Sequence, residues 1–467
     1  MRNYNIVKPM DNNMNLDSLF KPKSVALIGA AHTEEKLGGV ILKNLLKFKG
    51  SVYPVNPKYS ELMGLKAYPS ARDIPEPVDL AIIMRPAAEV PEVLRELAGK
   101  TKSVIIASSG FAEIGENEIQ NEVIKTGKEI GVRILGPNCM GIYNPYHRLD
   151  TFFLPDERLK RPKKGNVAVV SQSGAILSCL LGALETSNTG VSKAIGYGNA
   201  IDINEADIYE YLAKDRNTGV VISYIESLGD GRKFIEKAKV LSEKKPLLIL
   251  KAGKGVSGQA AAFSHTGRLA GKYEVFHSIL RQFRIREVED FDVLIDATKA
   301  LAYYPSVSPL AKGGIKGGVN RVLIITNGGG SGVLAADECM RQGLDVAKLH
   351  VDKTEKLKQI FPHFYGINNP IDLTAQVRDE DYVTALNELK DDYDGFLVIA
   401  LSNVYGITER LPEMIKACRA NINKPVVFHI AQSGISKKLT ALLEKAKIPV
   451  YPSPERAVRG LKALLRI

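Results

Sequence analysis

The sequence predicts an α/β protein made of three doubly wound parallel-sheet domains, and three features carry that expectation. One opening recurs three times: a β-branched strand, a turn rich in small residues, then an amphipathic helix. The openings are SVALIGAAHTEEKLGGVILKNLL from Ser24, NVAVVSQSGAILSCLLGAL from Asn166 and RVLIITNGGGSGVLAADECM from Arg321. Short apolar runs follow each opening at spacings that leave room for helices, and alternating strand and helix builds a parallel sheet. The second and third copies also end alike, in IREVEDFDVLIDATKAL from Ile285 and IPVYPSPERAVRGLKAL from Ile448.

Taken in order, the first copy continues through SVYPVNP, DLAIIMRP, SVIIASSG and VRILGPN. The second continues through KAIGYG, GVVISYIES and PLLILKAG, and the third through GFLVIALSN and PVVFHIAQS. Turn and charged residues replace the periodic pattern near residues 145–163 and 304–318, which read as linkers. The expected division is a tail over 1–17 and domains over 18–144, 163–306 and 319–467.

A chain of 467 residues suits about three domains of ordinary size, and 45% hydrophobic with 25% charged residues reads as globular. No apolar run approaches the roughly 20 residues that span a bilayer, and the start lacks the apolar core of a signal peptide. The expectation is a cytoplasmic protein without membrane contact. Lysine and arginine outnumber aspartate and glutamate by 63 to 52, a net charge of +11 that favours anionic ligands or an acidic partner. The basic residues are scattered and no nucleic-acid module is present, so the charge is assigned to phosphate-bearing small molecules or to a solvated surface. Cys139, Cys179, Cys339 and Cys418 show no CxxC pairing, so they read as packing residues, with no metal site and no disulfide framework.

A strand that passes through glycines into a helix exposes backbone N–H groups at the positive end of the helix dipole, which suits phosphate. All three openings are expected to have this form. The first, Gly29-Ala30-Ala31 with Gly38-Gly39, is not a GxGxxG fingerprint, and its second strand ends Val55-Asn56-Pro57-Lys58 without the acidic residue that would bind a nicotinamide ribose. A lysine there suits a phosphorylated ribose or adenine nucleotide. Ser171-Gln172-Ser173-Gly174 and Asn327-Gly328-Gly329-Gly330-Ser331-Gly332 place small and hydroxyl residues at helix starts; together they would clamp one phosphate, or each would only turn tightly. The run KGVSGQAAAFSHTGRLAG from Lys254 sets His265 between Ser264 and Thr266 among small residues. It reads either as a moving loop that carries a nucleophilic imidazole or as a surface loop with an incidental histidine. Glu226, at the end of VISYIESLGD, is placed to orient such an imidazole through one ring nitrogen.

The NPK of Asn56, ASSGF from Ala107, LGPNCMG from Leu135, SQSG from Ser171, GYGN from Gly196 and SHTG around His265 occur in one order. On these motifs the chain resembles the α subunits of archaeal ADP-forming acetyl-CoA synthetases, within the superfamily that includes succinyl-CoA synthetase. The resemblance implies a Rossmann-like CoA-binding domain followed by two flavodoxin-like domains. It implies His265 as the phosphorylated nucleophile with Glu226 as its partner. By the same resemblance Ser171, Gln172, Ser173, Gly174, Gly328, Gly329, Gly330, Ser331 and Gly332 bind phosphate, and Gly29, Ala30, Pro57, Lys58, Arg85, Ser109 and Asn138 line the site for coenzyme A. No segment looks like an ATP-grasp domain, so the resemblance implies a separate β subunit that holds ADP and Mg, in an α2β2 assembly. The alternative reading is a non-catalytic CoA-binding regulatory protein; a nicotinamide dehydrogenase is disfavoured by the missing ribose ligand.

Overall fold

Three sheets organise the chain, which the computed structural model describes over residues 16–255, 257–258, 272–304, 320–431 and 434–465. In the first, the parallel strands run in the order Ser51–Val55, Ser24–Ile28, Leu80–Ile83, Ser103–Ile106, Arg133–Leu135. The order reverses between Ser24–Ile28 and Leu80–Ile83, so a crevice opens beyond their carboxyl ends. These strands are apolar on both faces because both faces are covered: Ala26 and Ile28 enter one core and Val25 and Leu27 the other.

The second sheet is the largest. Its order is Arg286–Val288, Leu247–Lys251, Val220–Ile225, Lys164–Ser171, Val191–Gly196, Gly141–Asn144, Leu149–Asp150. The last two strands are antiparallel additions: Gly141–Asn144 pairs with Val191–Gly196, and Leu149–Asp150 pairs in turn with Gly141–Asn144. Sequence reasoning ended the first domain at 144 and gave 145–163 to a linker, whereas this hairpin is the second sheet's edge. So short a hairpin shows too little periodicity to be read as strands. Leu16, assigned to the tail, is buried in the core of the first sheet, just ahead of the helix Asp17–Phe20.

The third sheet runs Ile371–Asp372, Val322–Thr326, Gly395–Ala400, Val426–Ile430, Val450–Tyr451, all parallel. The second sheet shares a core with each neighbour. Ala168, Val170 and Ile195 pack in the cluster that holds Val25 and Leu27, while Val167, Val169 and Ile222 pack in the cluster that holds Ile324 and Leu397. The helix Phe291–Tyr303, capped by Asp290 through Val293 N–H at 2.8 Å, joins that second cluster and packs on the last helix, Pro454–Leu464. A polar seam reinforces it: Arg456 Nε reaches Asp296 Oδ1 at 2.9 Å and Lys299 Nζ reaches Glu444 Oε1 at 2.5 Å. Three of the four cysteines are buried, as packing residues should be, but Cys179 is exposed on the helix Gly174–Thr186. Among the described residues no helix is long and apolar enough to cross a membrane.

Candidate functional site

The residues read as CoA ligands all follow the carboxyl ends of the first sheet's strands. Gly29 has a φ of +91°, its N–H donates to Val55 O at 3.0 Å, and a β-carbon there would run into the Met84 carbonyl oxygen, so only glycine fits where the two central turns meet. Gly38 packs against the Gly29 carbonyl in the same way, which lets the helix Leu37–Leu45 lie close on the turn. Asn56 ties the next strand end to this turn: its Nδ2 donates to Ala30 O at 2.7 Å and its Oδ1 accepts from Lys58 N–H at 2.9 Å. Pro57, Lys58 and Ser109 are exposed along this edge. Arg85 is paired with Glu89, through Nε at 2.8 Å. Ser108 Oγ, in the loop after Ser103–Ile106, is buried without a hydrogen-bond partner among the described residues.

One expectation fails here. The first opening does not lead straight from strand into helix; residues 29–36 intervene, and the helix begins at Leu37 with Lys36 at its N-cap and no capping side chain. The polar run from His32 to Lys36 separates strand and helix along the chain, while Gly38 brings the first turn of the helix back against Gly29.

The second opening behaves as expected. Ser173 is the N-cap of the helix Gly174–Thr186, its Oγ accepting from Ile176 N–H at 3.3 Å. That bond satisfies the third N–H of the helix and leaves those of Gly174 and Ala175, which have no intrahelical acceptor by position, for an anion. Ser171 is fully buried and donates to Ser173 O at 2.7 Å. Gln172 ties the turn to the neighbouring strand end: Oε1 accepts from Glu226 N–H at 2.9 Å and Ser227 N–H at 3.0 Å, and Nε2 donates to Ser227 Oγ at 3.1 Å. Its side chain thus positions Glu226 against the helix start. Replacing Gln172 with methionine is expected to lower stability by roughly 1–3 kcal/mol, because two buried N–H groups lose their acceptor. An unchanged midpoint in denaturant unfolding would show that those groups find other partners.

A cavity of about 360 Å³ joins these parts. It is lined by Ala107 and Asn138 from the CoA side, by Gln172, Ser173, Gly174 and Ala175 from the helix start, and by Glu226. Met140, Phe153 and Leu154 supply an apolar wall, and Asn199 completes the polar one. Asn138 takes a φ of +53° and its N–H donates to Ser108 O at 2.9 Å, which holds it at the mouth of the Ala107–Gly110 loop. Burial pushes the Cys139 thiol up to about 12, so this cavity residue stays neutral and is not a nucleophile. Burial likewise lowers the pKa of Lys251, whose Nζ donates to Glu226 O at 2.7 Å. The strand Leu247–Lys251 ends here, with Ala252 N–H on Ile225 O at 2.9 Å, so the segment that carries His265 departs beside Glu226. His265 itself lies outside the described residues.

The third opening repeats the second in miniature. Thr326 Oγ1 donates to Gly328 O at 3.0 Å, as Ser171 does to Ser173 O, and Asn327 exchanges bonds with Leu401 at 2.8 and 3.2 Å, as Gln172 does with Glu226 and Ser227. The helix Gly329–Arg341 starts here with Gly328 as its N-cap. None of Gly328, Gly329, Gly330, Ser331 or Gly332 lines the cavity. A β-carbon on Gly329 would lie 2.9 Å from Asp372 Oδ2, so a carboxylate stands beside this helix start.

Three family models match successive parts of the chain: a CoA binding domain over residues 23–145, a succinyl-CoA ligase like flavodoxin domain over 164–301 and a ligase-CoA domain over 322–466. The α subunit of an ADP-forming acetate–CoA ligase from Pyrococcus furiosus is 38% identical over 461 residues, covering 97% of each chain. The chain belongs to the family of ADP-forming acetate–CoA ligase α subunits. The ADP-forming acetate–CoA ligase of Methanocaldococcus jannaschii is 37% identical over 452 residues; the match takes in 95% of this chain and 62% of that longer one. The acetyl-coenzyme A synthetase 1 of Ca. Korarchaeum cryptofilum, solved in complex with phosphate and ADP, superposes with a TM-score of 0.85 at 33% identity, covering 96% of each chain. The cavity draws its lining from the matched CoA-binding part, from the succinyl-CoA ligase like part and from Phe153 and Leu154 between them. Sequence reasoning missed Met140, Phe153, Leu154 and Asn199 as cavity residues. Met140 and Asn199 were within reach, as members of LGPNCMG and GYGN, whereas Phe153 and Leu154 carry no signal apart from the folded chain.

Proposed function

We propose that this chain is the α subunit of an ADP-forming acetyl-CoA synthetase, converting acetyl-CoA, ADP and phosphate to acetate, ATP and CoA with a separate β subunit. The observation that carries this reading is the cavity in which Asn138, the Gln172–Gly174 helix start and Glu226 meet. CoA is held along the edge formed by Gly29, Ala30, Pro57, Lys58, Arg85, Ser109 and Asn138. Phosphate sits at the free N–H groups of Gly174 and Ala175, where fixed dipoles stabilise charge as it develops. A phosphate oxygen attacks the acyl carbon, the C–S bond breaks, and the thiolate leaves as CoA. His265, oriented by Glu226, then attacks phosphorus and releases acetate, and the phosphoryl group passes from the imidazole nitrogen to ADP. Gly328–Gly332 is the second helix start that, with the first, holds the phosphate. ADP and Mg belong to the partner, an ATP-grasp β subunit in an α2β2 assembly. The functional units are 18–144, 163–306 and 319–467, with the edge hairpin between Gly141 and Asp150 crossing the first boundary.

The test is to incubate the chain and a candidate β subunit with acetyl-CoA and labelled phosphate. Acid-labile, base-stable label that depends on acetyl-CoA and moves to added ADP is the expected result. A complex that forms and binds CoA but acquires no label would point instead to a CoA-binding regulatory protein.

A further inference from the structure

Glu113 does not line the cavity, yet it bonds to both of the sheets that form it. It sits in the short turn Ala112–Ile114 that follows the Ala107–Gly110 loop. Its Oε1 accepts from Gly110 N–H at 2.6 Å and Phe111 N–H at 3.1 Å, and its Oε2 accepts from Asn199 Nδ2 at 2.6 Å. Asn199 belongs to the other sheet: it follows the strand Val191–Gly196, is 8% exposed and lines the cavity. Its Oδ1 accepts from Asn138 Nδ2 at 3.4 Å, its N–H donates to Pro137 O at 3.0 Å, and its Nδ2 also reaches Gln120 Oε1 at 3.1 Å. Burial opposes the charge on Glu113, but the bonds from Asn199, Gly110 and Phe111 outweigh it and hold the carboxyl below the usual glutamate range.

We propose that Glu113, acting through Asn199, is a positioning residue that sets the loop on the CoA side against the helix start on the phosphate side for acyl transfer. The role rests on the function proposed above. Transfer requires the reacting atoms to meet at about 3–3.5 Å, and a displacement of about 1 Å costs on the order of 100-fold in rate. A carboxylate suits the task because it accepts on both oxygens at once. Glutamine does not: with its oxygen on the Gly110 and Phe111 N–H groups, its NH2 faces the NH2 of Asn199. The loop keeps its clamp and the bond from position 113 to Asn199 is lost. Exchanging the pair restores the pattern, since the glutamine amide then donates to an aspartate in place of Asn199.

The experiment measures ATP formation by the complex with its β subunit for wild type, Glu113→Gln, Asn199→Asp and the double exchange. Each single variant is expected to lose about 10- to 100-fold in kcat with the KM for acetyl-CoA within about threefold of wild type, and the double exchange is expected to recover most of the kcat. Wild-type kcat in Glu113→Gln, or a double exchange no better than its worse parent, would overturn the role while leaving the proposed function standing. A wild-type complex that makes no ATP would overturn the function and this role together.

Discussion

Replacing His265 with asparagine is expected to abolish ATP formation while CoA binding survives. Asparagine keeps a polar side chain of similar reach but has no nitrogen lone pair able to displace acetate from phosphorus, so the covalent route closes. Losing a nucleophile of this kind lowers turnover by a factor on the order of 10⁴ to 10⁶. The CoA edge belongs to the first sheet, whereas the His265 segment begins beyond the strand Leu247–Lys251 of the second, so the substitution leaves the CoA edge intact. Titration with CoA and an ATP-formation assay on the same preparation separate the two effects. ATP formation at more than about a hundredth of the wild-type rate would assign phosphoryl transfer to another group.

Arg456→Met is expected to destabilise the protein strongly, and more so at pH 8 than at pH 5. Asp296 is 1% exposed, and burial pushes its carboxyl up to about 6 despite Arg456, which contacts it at 2.7–3.1 Å; Arg459 also lowers it, and Asp292 raises it. Since the folded pKa lies above the ordinary carboxylate value of about 3.9, the native state holds its proton more tightly than the unfolded chain. The stability linked to that proton is complete below about pH 4 and is lost as pH rises through about 6. Removing Arg456 leaves a buried charge unpaired, at a cost of about 3–5 kcal/mol when Asp296 is ionised. At pH 5 the carboxyl escapes most of that cost by keeping its proton. Thermal unfolding at the two pH values should therefore show a deficit relative to wild type that shrinks on acidification; equal deficits would mean that the seam is held by packing alone.

How far the sequence could be read depended on whether the chemistry was local. The second opening was legible because a serine cap, a glycine and an apolar helix are neighbours in the chain, and the structure places Ser173 and Gly174 accordingly. The first was misread because the residues that push its helix on to Leu37 are ordinary polar ones with no capping signature. The edge hairpin between Gly141 and Asp150 is too short to show a period, and its partner strand lies far along the chain, at Val191–Gly196. Glu113 looked like any acidic residue in the stretch AEIGENE; only folding brings Asn199 to its carboxylate at 2.6 Å. Gln172 was read as a phosphate ligand because it lies in the turn; that its Oε1 also holds the next strand end carries no local signal.

The second sheet packs one face into a core with the first and the other face into a core with the third. It is therefore a wall common to two rooms, and neither neighbour can be cut away without baring apolar surface on it. A fragment beginning near residue 163 should collect in inclusion bodies, and the intact chain should melt in one transition. The apolar wall of the cavity, Met140, Phe153 and Leu154, is accordingly backed by a frame that has no independent part to move.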